Sequence, residues 1–185
     1  MKIQSTPGIT LSEDTRIPQV GCGVFQIRDS RECRTCIREA IDCGYRLLDT
    51  AAAYFNEDAV GDAMEDAIRD GAVKREEMFL TTKVWIQDYG EQETLTAVEA
   101  SMKRLRTDYL DLVLMHQPYG KWQALEKLKK SGAVRAIGTS NFTRKKMREL
   151  LSIADIKPQI NQMEIHPLFW RRLCMYLSEE QDKIQ

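Results

Sequence analysis

The sequence predicts an α/β fold, a (β/α)8 TIM-type barrel of which about six of the eight β/α units are present. Three observations carry that reading. Short β-rich runs alternate with longer amphipathic runs six times along the chain. The short runs are apolar almost throughout, as parallel strands covered on both faces must be. Polar and ionisable residues then recur at the C-terminal ends of successive strands, which is where a barrel assembles its chemistry.

Taken in order, a leading segment of about residues 1–19 reads as a small hairpin turning around Ser12 to Asp14. The first strand, QVGCGVFQI, precedes a helical pattern from Ser30 to Cys43. YRLLDT precedes NEDAVGDAMEDAIRDG, and EMFLTTKVW precedes EQETLTAVEASMKRLRT. YLDLVLMH precedes KWQALEKLKKSG, VRAIGTSNF precedes TRKKMRELLSIA, and PQINQMEIHP precedes LFWRRLCMYLSEEQDK. Gly44, Gly71 and Gly132 fall where helix C-terminal caps belong, and Thr143 or Asn141 suits the N-cap after the fifth strand. No linker or low-complexity tract divides the chain, so 1–185 is expected to be one domain. The alternative, an open doubly wound sheet binding a dinucleotide, calls for a GxGxxG turn, and GCGVFQ lacks the third glycine.

The composition excludes several classes of function. Of 185 residues, 43% are hydrophobic and 30% charged, which is the make-up of a globular chain. Twenty-seven basic residues balance 28 acidic ones, leaving no field to draw nucleic acid or an anionic membrane. The N-terminus lacks the apolar core of a signal peptide and no run suffices to span a bilayer, so the expectation is a cytoplasmic protein. The five cysteines are odd in number and are expected to be reduced thiols. Cys33 and Cys36 form a CxxC, but within a helical pattern and without a second Cys or His pair, so no metal site is expected.

The strand ends carry the functional argument. Asp49 ends RLLD, Lys83 ends FLTTK, His116 ends LDLVLMH, Ser140 and Asn141 follow the fifth strand, and Gln162 with Glu164 lies in the sixth. Each alone has an ordinary structural reading. Together, ionisable groups ending buried runs must meet one another, because an unpaired buried charge costs several kcal/mol. Tyr54, five residues after Asp49, is a poor acid at its ordinary pKa of about 10. A nearby Lys83 ammonium, held by Asp49, is expected to lower that value, while His116 donates to a bound carbonyl oxygen.

The segments GYRLLDTAAAYFNE, LTTKVW, DLVLMHQP, RAIGTSNF and NQMEIHP resemble, in order and spacing, the signature segments of the aldo-keto reductases, from about Arg16 to Pro167. That resemblance implies an oxidoreductase reducing aldehydes or ketones with NADPH on a (β/α)8 barrel. It implies Tyr54 as general acid, Lys83 and Asp49 as the groups that tune it, and His116 as the group that orients the substrate. Ser140, Asn141 and Gln162 match positions that hold the nicotinamide carboxamide, and Gly23, Val24 and Asp49 match cofactor-side positions. Phe25 and Trp85 match the apolar substrate wall, and His166 reads as structural.

The chain departs from that pattern in three places. Phe55 stands where a glycine is usual after the tyrosine, and HQPYG runs almost directly into KWQALEKL, where relatives carry several more residues. A closed barrel takes about 250 residues, so the resemblance implies a C-terminally truncated barrel. Strands seven and eight would be missing, with the aromatic stacking residue, the pyrophosphate loop and the groups that read the 2′-phosphate. The open sheet edges would then invite self-association. Two other readings compete: a non-catalytic reductase-like scaffold or regulatory subunit that binds a protein partner, and Schiff-base aldolase chemistry at Lys83.

Overall fold

The computed structural model describes residues 7–118 and 120–166. A hairpin of β1 (Gly8–Ser12) and β2 (Thr15–Pro18) opens the chain, turning at Glu13 and Asp14 as the sequence predicts. Then follow β3 (Cys22–Gly23), α1 (Ser30–Asp42), β4 (Leu47–Asp49), α2 (Glu57–Arg69), β5 (Phe79–Val84) and α3 (Glu91–Arg104). After them come β6 (Leu110–Met115), α4 (Trp122–Lys130), β7 (Val134–Ser140), α5 (Arg144–Leu151) and β8 (Asn161–Gln162). Strands β3 to β8 lie side by side in chain order, all parallel, in one curled six-stranded sheet. This is six-eighths of a (β/α)8 plan. The helix expected over 168–183 lies outside the described residues, as do Met1 to Thr6 of the leading segment.

Local chemistry sets the boundaries. Asp29 caps α1 by accepting from the Glu32 N–H at 2.8 Å, and Thr143 caps α5 by accepting from Lys146 at 3.3 Å. Gly44, Gly71 and Gly132 take φ values of 101°, 73° and 81°, the left-handed geometry that ends a helix and that a Cβ would disfavour. The first and last barrel strands are shorter than QVGCGVFQI and PQINQMEIHP suggest. Each is paired on one side only, so fewer of its backbone groups are fixed in a ladder.

Alternation along the strands divides the core in two. Leu48, Leu80, Val113 and Ile137 point outward and pack with Ile37, Ile41, Val60, Met64, Leu105 and Leu125 of the helical layer. Inside the curl, Leu47, Phe79, Leu112, Leu114, Ala136 and Ile160 meet Leu11 and Ile17 of the hairpin, which closes the end where the strands begin. The curl is tight near Gly138, where a Cβ would stand 2.7 Å from Ile160 and 2.8 Å from Leu114. With the N-terminal end filled by apolar side chains, space is left at the C-terminal ends.

Candidate active site

β4 ends at Asp49, β5 carries Lys83 one residue before its end, and His116 follows β6 directly. β7 ends at Ser140 and β8 at Gln162. The parallel register brings these positions to one rim, where all but the buried Lys83 border a cavity of about 770 Å³. Phe25, Asp49, Tyr54, Trp85, His116, Gln117, Ser140, Asn141, Gln162 and Glu164 are among its walls. Six sequence-predicted residues distant in the chain, Phe25, Trp85, His116, Ser140, Asn141 and Gln162, therefore share one hollow with Asp49 and Tyr54.

Lys83 is the second-largest of the fully buried side chains, and its charge is fully accounted for. Its Nζ donates to Asp49 Oδ1 at 2.5 Å and to the Thr50 carbonyl at 2.9 Å. The other carboxylate oxygen of Asp49 accepts from Gln162 Nε2 at 2.9 Å, so one aspartate ties β4, β5 and β8 together. Burial pushes the lysine pKa down and the Asp49 charge pushes it back up; the net direction is down.

Tyr54 sits on a single helical turn, Ala52–Tyr54, with Lys83 Nζ 5.0 Å from the centre of its ring. Here the structure corrects the sequence reading. The phenol is pushed up to about 12, not down, because burial and then the Asp49 carboxylate both disfavour a phenolate. Proximity to an ammonium does not offset them while Asp49 neutralises that ammonium. Tyr54 thus holds its proton throughout the neutral range.

His116 lies edge-on to Trp85, with ring centres 4.9 Å apart and planes at 72°, and edge-on to Tyr54 at 5.8 Å and 79°. Burial and the Lys83 charge push its pKa down to about 4, so the ring is neutral at pH 7. Nδ1 is buried without a partner among the described residues, which leaves Nε2 for the cavity. Phe25 stacks obliquely on Tyr54 at 4.9 Å and completes an aromatic wall.

The carboxamide positions fit a nicotinamide amide. Asn141 spends its Nδ2 on the His116 carbonyl at 3.2 Å and on Ser140 Oγ at 3.1 Å. Gln162 spends its Nε2 on Asp49. Asn141 Oδ1 and Gln162 Oε1 have no donor among the described residues, so each can accept from a bound amide.

Gly23 and Val24 do not line the cavity. Gly23 is in register with Asp49, whose carbonyl is the nearest atom to a Cβ built there, at 4.0 Å. Val24 is fully buried in the outer core, its N–H donating to the Asp49 carbonyl at 3.1 Å. Phe55 does not narrow the hollow: it is 94% exposed, and its φ of 57° explains why glycine suits the position. His166 meets Glu164 Oε1 at 2.9 Å.

Sequence reasoning missed the groups that hold the Tyr54 turn. Asn56, 3% exposed, accepts from Thr50 Oγ1 at 2.8 Å and donates to the carbonyls of Val24 and Ile27 at 2.9 and 3.0 Å. It pins the turn to the loop that carries Phe25. Glu57, 1% exposed, accepts from Thr82 at 2.6 Å, Ser101 at 3.2 Å and Arg104 at 2.8 Å. Most of these partners lie 25 or more residues away in the chain, so no local pattern marked either residue.

Comparison with known proteins bears on the family and the fold. The model of the aldo/keto reductase family matches residues 20–178. A glyoxal reductase of Bacillus subtilis is 47% identical over 165 residues, covering 86% of this chain and 58% of the relative. An uncharacterized oxidoreductase of the same organism is 45% identical over 177 residues, covering 92% and 63%. The crystal structure of a Bombyx mori aldo-keto reductase in complex with NADP superposes with a TM-score of 0.83 at 32% identity, covering 94% of this chain and 64% of that one. The chain thus spans about six-tenths of the length of the relatives it matches.

Proposed function

The chain belongs to the aldo/keto reductase family, and on that premise we propose that it carries the proton-delivering half of an NADPH-dependent reduction of aldehydes or ketones. The observation that supports this most is the convergence of Tyr54, Asp49 and His116 on one cavity, with buried Lys83 bonded to Asp49, the phenol protonated and the imidazole neutral.

NADPH, when bound, supplies the hydride. Asn141 Oδ1, Gln162 Oε1 and Ser140 would hold its carboxamide against the rim. The carbonyl oxygen would lie between Tyr54 and His116, where neutral His116 donates through Nε2 and fixes its direction. Tyr54 gives its proton to the oxygen as negative charge develops there, and the phenolate that remains lies beside Lys83, whose Nζ is 5.0 Å from the centre of its ring. Asp49 keeps Lys83 charged and un-nucleophilic, which disfavours Schiff-base chemistry. Phe25 and Trp85 supply apolar walls for the rest of the substrate. The names of relatives, glyoxal reductase among them, support small carbonyl compounds as substrates. Free thiols at Cys22, Cys33, Cys36 and Cys43 suit a reducing compartment, and we place the protein in the cytoplasm; no described helix is long and apolar enough to cross a membrane.

The test is direct. NADPH binding is measured by fluorescence titration, and NADPH oxidation is then followed with glyoxal-type and aromatic aldehydes, with the alcohol identified. Stoichiometric alcohol formation is the expected result; NADPH binding with no carbonyl reduced across the panel would overturn the reading.

A further inference from the structure

The loops that follow β5 and β6 are stitched together by one phenol. Tyr89 donates its O–H to the Gln117 carbonyl at 2.7 Å and accepts the Gln117 N–H at 2.6 Å, so both backbone groups of the residue after His116 rest on a single hydroxyl. The ring is held in turn: a Cβ on Gly120 would stand 2.8 Å from Tyr89 Cγ, and the Lys121 N–H reaches the Tyr89 carbonyl at 3.4 Å. On the other side of His116, its own N–H donates to the Val84 carbonyl at 3.2 Å.

The imidazole itself has no such anchor. Neither ring nitrogen is hydrogen-bonded by a described residue, and its ring contacts are with Trp85 and Tyr54. Packing against Trp85 restrains the tilt of the ring, but where the ring starts from depends on the backbone at 116 and 117. That backbone is fixed by the end of β5 before it, by Asn141 Nδ2 on the His116 carbonyl, and by Tyr89 after it.

We propose that Tyr89 is a positioning residue for His116, clamping the residue after it so that an imidazole with no hydrogen bond of its own faces the cavity in one orientation. The consequence for turnover rests on the functional reading above; the effect on the ring does not. The phenol is suited to the task because burial pushes its pKa up to about 12, so it keeps the proton it donates.

The chain has two histidines, so long-range proton–nitrogen NMR spectra can assign each ring separately. Tyr89→Phe removes only the hydroxyl, and Gly120→Ala displaces the Tyr89 ring while keeping it. In the unaltered protein His116 should show one neutral tautomer, protonated at Nε2, over the neutral range. In either variant that signal should broaden or average between tautomers, and its titration should move toward the ordinary value of about 6.5. With a reducible aldehyde, kcat/KM should fall about tenfold through misplacement of the orienting group, while NADPH affinity is unchanged. Identical His116 ring signals in the unaltered protein and in both variants would overturn the proposal. If the unaltered protein binds NADPH but reduces no carbonyl, the functional reading fails, and the ring spectra still decide the role of Tyr89.

Discussion

The two ends of the curled sheet are built from the same strands and do opposite things. Where the strands begin, Leu47, Phe79, Leu112 and Ala136 interlock with Leu11 and Ile17 of the hairpin. Where they end, Asp49, His116, Ser140 and Gln162 surround a cavity, and Lys83 is buried against Asp49. Between them lies Thr81, whose buried hydroxyl has no partner. Burial of apolar area holds the first end together. The second end stays folded only because its charges are paired, and that pairing is also what supports its chemistry. Stability and function are thus separated by about four residues of strand, roughly 13 Å of rise.

Substitutions at each end sharpen that contrast. The largest effect is expected from Asp49→Asn, which leaves the fully buried Lys83 ammonium without its carboxylate and Gln162 without its charged acceptor. We expect a loss of about 3–5 kcal/mol in urea unfolding, with carbonyl reduction lost as well. Lys83, already pushed down by burial, should then be pushed further down, because the Asp49 charge that opposes burial is gone. Leu114→Ala, in the apolar interior, should cost about 2–5 kcal/mol through the cavity it opens. Its rate per folded molecule should be nearly unchanged, and a comparable loss of rate would contradict the division between the two ends.

A smaller effect concerns pH. His116 is held at about 4 in the folded chain, against 6.5 when unfolded. As pH falls below 6.5 the unfolded chain takes up this proton first, so the native state loses stability progressively until pH about 4. Unfolding midpoints measured across that window should fall with pH, and His116→Gln should remove this share of the slope. The smallest expected change is a gain: Phe55→Gly relieves a non-glycine residue at φ 57° and should stabilise by about 1 kcal/mol. Because Phe55 is exposed and off the cavity, a changed substrate range in that variant would show that it reaches the pocket after all.

Much of this was legible in the sequence. Asp49, Lys83, His116 and Ser140 stand out because each closes an apolar run, and strand ends in a parallel sheet share one side. The order of elements followed from the six alternations, and the glycine caps were found where the helical patterns stop. What escaped notice depends on contacts between residues far apart in the chain. Asn56 meets Val24 and Ile27, Glu57 meets Arg104, and Tyr89 meets Gln117; no local pattern announces such pairs. The shift at Tyr54 was misjudged because proximity to Lys83 is inferred readily from spacing, whereas desolvation and the Asp49 charge appear only once the groups are packed. Val24 was named through the resemblance alone, which matches a position and not a contact, and its burial in the outer core appears only once the chain is packed.

The account turns on Tyr54 giving the proton while the rest of the site stands unchanged. The most direct test is Tyr54→Phe, with NADPH affinity, thermal midpoint and the rate of aldehyde-dependent NADPH oxidation measured beside the unaltered chain. Unchanged binding and melting with a rate lower by about 10²–10⁴-fold is the predicted result. Reduction at an undiminished rate in the phenylalanine variant would contradict it.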